Sequence, residues 1–214
     1  RFAGMNAHFT MSLDNDPEWI RDFALFHRKT QNLQAMVLFD NGSTRYPLST
    51  IEDTLRDVGL KDFAIVSAPL PYGRVSASNS SRAKFLQVAL MNVARLRFLG
   101  RARAVLNADI DELVWTKGAT VFDKVANSWR GYASFAGAWR YPRQGLESTA
   151  GHNEHDHICN ERSPCPSKYC IAPQGLLRRL SWDVHRLTGL PFKKKWLHRA
   201  DIGFLHCAQV TTGW

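Results

Sequence analysis

Compact apolar runs alternate with segments of helical periodicity over the first half of the chain. Four short runs are predicted as strands, namely residues 8–13, 35–39, 63–66 and 104–106. Apolar residues recur at helical spacing in three intervening segments, which are the one after Pro17, residues 49–58 and residues 82–99. This alternation predicts an α/β sheet with largely parallel strands and right-handed crossovers.

The predicted helices carry start signals and apolar stripes. Asp16 before Pro17 suits a helix start, because the carboxylate accepts from free backbone N–H groups and proline fits the first helical position. Ser49 or Thr50 is the predicted cap of the second helix. The first and third helices carry these apolar residues at helical spacing: Trp19, Ile20, Phe23, Ala24 and Phe26; Phe85, Val88, Ala89, Val93 and Leu96. The first set predicts a face buried against a sheet.

The pattern changes after Trp115. A short helix near 121–126, an aromatic strand at 132–139 and strand structure at 196–210 are predicted. The polar stretch 141–168 is too long for a simple connection, and such loops in compact domains are usually functional. Because no repeat or linker divides the chain, we predict one domain, residues 1–214, with an inserted loop at about 141–170.

The net charge of the chain indicates which classes of partner it can attract. The formal net charge is +9 and the pI is near 9.7, which favours anionic partners: nucleotides, phosphates, acidic glycans, nucleic acid or anionic lipid headgroups. No run of about 18 apolar residues appears. We expect a cytoplasmic protein with peripheral contact on the inner face of a membrane, or a Golgi-lumenal one if the chain is a trimmed eukaryotic fragment.

A second candidate site is rich in cysteine and histidine. It contains Cys159, Cys165, Cys170, His152, His155 and His157. The familiar C-x2-C pairing of zinc sites is missing, and spacing does not reveal redox state. A zinc site, a disulfide and free thiols all remain open.

The main chemical motif is Asp109-Ile110-Asp111, which follows the fourth predicted strand. Two carboxylates separated by one residue can both reach one Mn²⁺ or Mg²⁺ ion, which in turn bridges diphosphate oxygens. Ligands of open α/β sheets bind at the carboxyl ends of the strands. The motif therefore predicts a metal site that offsets charge as a nucleoside diphosphate leaves.

The order of motifs resembles GT-A-fold glycosyltransferases of the family 2 and family 92 type. The matching segments are NDPEW at 15–19, His27, VLFDNGST at 37–44 and NADIDE at 107–112. The resemblance covers residues 8 to about 115, and thereafter only 195–199 and His206. It implies a Rossmann-like single domain whose mostly parallel central sheet is flanked by helices. The implied activity is metal-dependent, inverting transfer of a sugar from a nucleoside-diphosphate sugar to a glycan or glycolipid acceptor.

The resemblance also implies roles for single residues. Leu13, Asp14 and Asn15 would border the nucleotide, Asp40 would contact its base or ribose, and Asp109 and Asp111 would hold the metal and the donor. His206 would be a further metal ligand or a phosphate contact. Leu113 and Arg45 depart from the family pattern, and the Arg45 change leaves the base contact open.

Two further groups of residues complete the predicted site. Arg82 and Lys84 lie at the start of the third helix, whose N-terminus favours anions, so they are candidates for the donor phosphates. An inverting enzyme needs a carboxylate that takes the acceptor's proton. Glu147, Glu154 and Asp156 are the candidates in the long loop, with Glu147 preferred.

Two alternative functions remain at this point. An Asp-x-Asp phosphotransferase or phosphohydrolase would use Asp109 as nucleophile and Asp111 as acid, although in such enzymes the motif stands near the first strand. A basic nucleic-acid-binding module with a zinc cluster at 152–170 rests on charge alone. We expect no nucleic-acid partner.

Overall fold

The computed structural model describes residues 1–73, 84–142, 151–158, 165–190, 196–208 and 210, with the backbone alone for 156–158. Within these residues the strands are β1 Asn6–Ser12, β2 Ala35–Asp40, β3 Asp62–Ser67, β4 Ala104–Asn107, β5 Glu112–Thr116, β6 Tyr132–Pro142, β7 His155–Ile158, β8 Lys168–Ile171 and β9 His198–Cys207. The helices are α1 Pro17–Gln31, α2 Leu48–Val58, α3 Phe85–Ala94 and α4 Val121–Ala126. A π-helical turn, Arg95–Leu99, continues α3, and a 3-10 turn spans His152–Glu154.

All described strands join one sheet. Its order is β3-β2-β1-β4-β8-β6-β9-β5, and β7 pairs with the far end of β6. The first four strands are mutually parallel. Beyond β4 the pairing is mixed, because β8 runs antiparallel to both β4 and β6, β6 and β9 are parallel, and β5 is antiparallel to β9. The predicted α/β class, with a mostly parallel sheet flanked by helices, is confirmed.

Two apolar layers cover the faces of the sheet. One contains buried residues of α1, α2 and α4, such as Phe23, Leu55 and Phe122, packed against Leu38 and Leu106. The other contains residues of α3 and the segment 177–187, packed against the alternate side chains of β1, β2 and β4. Because strand side chains alternate between faces, the fully buried runs of β1 and β2 feed both layers.

Three local expectations need correction or refinement. The predicted cap of α2 is wrong, since the helix begins at Leu48 after Pro47 and no side chain caps it. The 141–170 stretch contains β7 and the start of β8 in its described parts. In the described residues, no helix is long and apolar enough to cross a membrane.

The apolar stripe read from the sequence of α3 lies on the outer side of that helix. Phe85 is 74% exposed and Leu96 72% exposed, whereas Leu86, Leu90, Met91 and Ala94 are buried. The helix has apolar residues on both sides, so periodicity alone did not identify the buried one.

Truncations at Leu90 and Leu96 test this orientation. Leu90→Ala should lower the free energy of unfolding by about 2–5 kcal/mol, because it removes a buried side chain and leaves a cavity. The matched control, Leu96→Ala, should change it by less than about 0.5 kcal/mol. Urea unfolding of the two variants makes the comparison, and equal losses would contradict the orientation.

His27 joins α1 to β5 and must be neutral to do so. The backbone N–H of Val114 donates to its Nε2 at 3.0 Å, so its Nδ1–H donates to the carbonyl of Phe23 at 2.8 Å. Burial lowers the pKa of His27 to about 3, against an ordinary value of about 6.5.

Acidification should therefore weaken the fold through His27. A folded-state pKa below the unfolded one gives stability that is complete above about pH 6.5 and is lost as pH falls toward 3. Between pH 6 and 4, we expect the slope of the free energy of unfolding against pH to be smaller in His27→Gln by about 1.4 kcal/mol per pH unit. The control His198→Gln, at an exposed position, should keep the native slope. Urea unfolding across this pH range is the measurement.

Candidate active site

The site lies where the strand order reverses. From β1 the chain proceeds to β2 and β3 on one side, and then returns to place β4 on the other side of β1. The carboxyl ends of β1 and β4 therefore adjoin at a topological switch point, where ligands of open α/β sheets bind. A cavity of about 190 Å³ lies there, lined by Met11, Asn15, Tyr72, Lys84, Gln87, Asp109, Ile110 and Asp111. Four predicted site residues, Asn15, Lys84, Asp109 and Asp111, thus meet in one cavity.

Asp109 is held by a buried cation. The Lys168 ammonium, whose side chain is only 1% exposed, lies 2.5 Å from Asp109 Oδ2 and 3.1 Å from Glu112 Oε2. Gln87 Nε2 donates to the other Asp109 oxygen at 3.2 Å. Burial opposes ionisation of Asp109, but the charge and hydrogen bond of Lys168, together with the charge of Lys84, outweigh it and hold the pKa of Asp109 at about 2. Asp109 is therefore a fixed anion at the cavity wall.

Glu112 is buried behind the Asp109–Asp111 motif and bonds to its backbone. Its Oε2 accepts the backbone N–H of Asp109 at 2.8 Å, while the Glu112 N–H donates to the Asp109 carbonyl at 3.0 Å. These reciprocal bonds close the turn between β4 and β5. Burial raises the pKa of Glu112 to about 7, with Lys168 opposing and the two aspartates reinforcing that rise.

Asp111, Glu112 and His206 form the candidate metal centre. One ligand atom from each lies within 4.8 Å of the others. His206 Nε2 is 3.0 Å from Asp111 Oδ2, and its Nδ1 is 3.6 Å from Glu112 Oε1. Trp139 stacks on the His206 ring, with centroids 4.0 Å apart.

The donor set fits a hard divalent cation. Asp111 Oδ1 and His206 Nδ1 are buried and have no hydrogen-bond partner among the described residues. Two carboxylates and an imidazole suit Mn²⁺, and carboxylate oxygens suit Mg²⁺. Burial opposes the charged imidazolium, but the hydrogen bond to Asp111 and the charges of Asp111 and Glu112 together outweigh it and raise the pKa of His206.

The Asp14 and Asp40 carboxylates are bound within the loops that border the site. Asp40 accepts from the backbone N–H groups of Gly42 and Ser43, each at 3.0 Å, and from the Ser43 hydroxyl at 2.5 Å. Asp14, which has a left-handed φ of 51°, accepts from the N–H groups of Thr44 and Arg45 at 2.8 and 2.9 Å. Asp40 thus orders the turn after β2, and Asp14 ties the end of β1 to that turn. The roles of both residues in binding the sugar donor stay predictions.

Lys84 reaches the cavity from just before α3. Its Nζ lies 3.4 Å from His185 Nε2. Burial and the charges of Lys168 and Lys84 lower the pKa of His185 to about 4, so its imidazole is neutral near pH 7. Lys84 lines the same cavity as Asp109, and its charge is one of the causes that lower the pKa of Asp109.

The other predicted site residues fall into two groups. Arg82 and Glu147 lie outside the described residues, as does the side chain of Asp156. Leu13 follows β1 directly, and Glu154 accepts the Gly151 N–H at 2.6 Å within the 3-10 turn. The base assignments to Glu147, Glu154 and Asp156 stay predictions.

The histidines and cysteines of 152–170 have separate positions in the described part of the chain. His152 Nε2 is 2.7 Å from the Ile110 carbonyl, and His155 contacts the Gly151 and Ala208 carbonyls. Cys165 and Cys170 are buried free thiols. No zinc cluster forms among these described side chains, and Cys159 lies outside them. The contact to Ile110 instead braces the Asp109–Asp111 turn.

Sequence reasoning missed Lys168, Gln87 and the place of Glu112 in the candidate metal centre. Glu112 stood inside the recognised motif, and its burial was the missing information. No sequence pattern marked Lys168, because the four residues of β8 are too few to show the alternation of a strand. A lysine is almost always exposed, so only the structure reveals it as a buried counter-charge.

Comparisons with known proteins give distant likenesses. No family model and no curated protein sequence matches the chain. Among solved structures, a mycobacterial protein matches with 12% identity and a TM-score of 0.37, over 79% of this chain and 54% of the other. Core-mannan synthase A of Aspergillus fumigatus, in an Mn/GDP form, matches with 9% identity and a TM-score of 0.38, over 63% and 42%. The chain spans about half the length of these proteins, and the likenesses assign it no activity.

Removing the buried cation should destabilise the protein. Lys168→Met leaves Asp109 and Glu112 facing each other without their counter-charge, and we expect a loss of about 3–5 kcal/mol in the free energy of unfolding. Lys117→Met, at an exposed position, is the control and should cost less than about 0.5 kcal/mol. Chemical denaturation near pH 7 measures both. A Lys168 variant as stable as the control would show that the ammonium is not needed to hold the two carboxylates.

Proposed function

We propose that the protein is a glycosyltransferase that moves a sugar from a nucleoside-diphosphate donor to a glycan or glycolipid acceptor. The observation that carries the proposal is the meeting of Asp109, Asp111 and Lys84 in one cavity at the switch point, with Glu112 and His206 adjoining. A diphosphate site needs three components. These are carboxylates that can bind a cation, a lysine, and the carboxyl ends of parallel strands.

The proposal divides the acidic residues between two tasks. Asp111, Glu112 and His206 would hold Mn²⁺ or Mg²⁺, whose charge stabilises the departing diphosphate. Asp109, fixed by Lys168 and Gln87, would face the donor and accept hydrogen bonds from its sugar or ribose hydroxyls. Lys84, in the same lining, would offset phosphate charge.

The transfer itself exchanges one bond to the donor's anomeric carbon for another. The acceptor's hydroxyl oxygen forms a bond to that carbon as the bond to the β-phosphate oxygen breaks, and the electron pair leaves with the diphosphate. The hydroxyl proton passes to a carboxylate base. Glu147, Glu154 and Asp156 stay the proposed candidates for it, and inversion follows from a single displacement.

Membrane attachment stays a prediction from the sequence. It rests on the net charge of +9, which favours an anionic membrane.

The phosphotransferase alternative would need Asp109 as a free nucleophile, yet its carboxylate is bound by Lys168 and Gln87. The nucleic-acid alternative has no zinc cluster among the described residues to support it.

A panel of nucleoside diphosphates with and without Mn²⁺ tests the proposal by thermal unfolding. A ligand present at about 100 times its Kd adds about 2.7 kcal/mol to the folded state, equivalent to about 5–11 °C in Tm at about 2–4 °C per kcal/mol. We expect at least one nucleotide to give a shift that depends on Mn²⁺. Asp111→Asn should remove the metal-dependent part.

Asp53→Asn is the matched control, because Asp53 is exposed on α2, outside the cavity, and it should keep the full shift. Release of nucleoside diphosphate from the matching nucleotide sugar should need the metal as well. A covalent phosphate on Asp109, or salt-sensitive DNA binding with no nucleotide response, would instead favour one of the alternatives.

A further inference from the structure

The outer side of α3 carries an exposed apolar stripe. It consists of Phe85, Val93 and Leu96, while the opposite side of the helix packs in the core. Phe85 directly follows Lys84, which lines the cavity at the switch point, so the stripe begins beside that cavity. Apolar side chains grouped on an exposed helix side mark a surface that binds a partner or a membrane.

The segment 174–182 runs alongside α3 and its π-helical turn and widens this surface. Three hydrogen bonds join the two segments, and they pair these residues: Gln174 with Gly100, Arg178 with Arg95 at 3.1 Å, and Trp182 with Asn92 at 3.0 Å. The order of the pairs shows that the segments run in opposite directions. Leu176, which is exposed, therefore lies beside the π-helical turn and extends the apolar stripe.

Five arginines lie on these two segments or directly after them, namely Arg95, Arg97, Arg101, Arg178 and Arg179. Four are exposed and Arg95 is partly buried. Exposed arginines elsewhere, such as Arg21 and Arg56, pair with neighbouring carboxylates. The five arginines lack such neighbours in the sequence, because residues 63–108 and 162–182 include no aspartate or glutamate.

The acidic residues that adjoin these segments have other partners. They are bound as follows: Asp62 by Arg1, Asp109 by Lys168, and Asp183 by the backbone N–H of Val184 at 2.7 Å. Within the described part of the chain, no ion pair joins a carboxylate to any of the five arginines. The surface therefore combines exposed apolar side chains with positive charge that no ion pair neutralises.

An anionic bilayer matches both components of this surface. Arginines attract the anionic headgroups, and apolar side chains enter the boundary between headgroups and acyl chains. Nucleic acid would match the arginines but leave the apolar stripe in water. A second copy of the chain would cover the stripe but bring like charges together.

We infer that this surface is the face by which the protein lies on an anionic membrane. The five arginines contact the headgroups, and these apolar side chains enter the bilayer boundary: Phe85, Val93, Leu96 and Leu176. The inference assigns one face to the membrane attachment predicted from the net charge, and it does not require the transferase activity. Because Lys84 precedes Phe85, the cavity at the switch point lies close to the bilayer.

Sedimentation with lipid vesicles tests the inference on the intact protein. The protein should bind phosphatidylcholine vesicles that contain phosphatidylserine, and added salt should weaken the binding by screening. Arg97→Gln combined with Arg178→Gln should weaken it about 25-fold, at about fivefold for each basic residue near an anionic surface. The control removes two charges from exposed positions on α1, across the sheet, as Arg28→Gln with Lys29→Gln. It should change the binding by less than about threefold.

Leu96→Gln tests the apolar component. It should weaken vesicle binding about tenfold, because it removes an apolar side chain from the bilayer boundary and leaves every charge in place. The matched control, Leu96→Met, stays apolar and should bind like the native protein. Both variants should keep the native Tm, since position 96 is exposed.

Three results would overturn the inference: no binding to the phosphatidylserine vesicles, equal weakening by the two double variants, or native binding by Leu96→Gln. The second would show that net charge alone attracts the protein. The third, together with tight DNA binding, would assign the arginines to nucleic acid, and self-association that Leu96→Gln abolishes would assign the stripe to a second copy. Nucleotide shifts with Mn²⁺, measured without vesicles, should be equal in all these proteins. Their absence from every protein would count against the proposed function and leave the membrane face unaffected.

Discussion

Burial of the Lys168 ammonium against Asp109 and Glu112 is the interaction on which the rest of the site depends. An ion removed from water costs several kcal/mol unless it is paired and hydrogen-bonded. Lys168 meets that condition only because β8 pairs antiparallel with β4, with Tyr169 opposite Asn107. The same pairing joins the parallel half of the sheet to the mixed half, so the position of the charge cluster depends on the sheet architecture.

This internal cation divides an acidic motif into two parts. Asp109 and the Oε2 atom of Glu112 already have a positive partner, whereas Glu112 Oε1 lies 3.6 Å from His206 Nδ1. Asp111 keeps one buried oxygen without a hydrogen-bond partner among the described residues, and His206 keeps a nitrogen in the same condition. Buried polar atoms are rarely left unsatisfied. A divalent cation held by this cluster would supply a partner for such atoms, which is the physical basis of the metal role proposed for Asp111, Glu112 and His206.

The switch point and its surroundings bound the candidate site. β1 and β4 diverge in their connections, and the gap between their ends is bounded by Lys84 at the start of α3. The 182–188 segment, closed by a bridge between Trp182 and Leu187, contacts Lys84 through His185.

The sequence alone determined the α/β class, the approximate strands and helices of the first half, and the Asp109–Asp111 motif at the end of β4. These features depend on local periodicity and turn chemistry, which neighbouring residues carry. It did not determine which side of α3 is buried, because apolar residues occupy both sides and only the packing partner chooses between them. Nor did it reveal Lys168, or the joining of Glu112 with Asp111 and His206. Those arise from contacts between residues as many as 95 positions apart, which depend on how the strands pair and are fixed only in the folded chain.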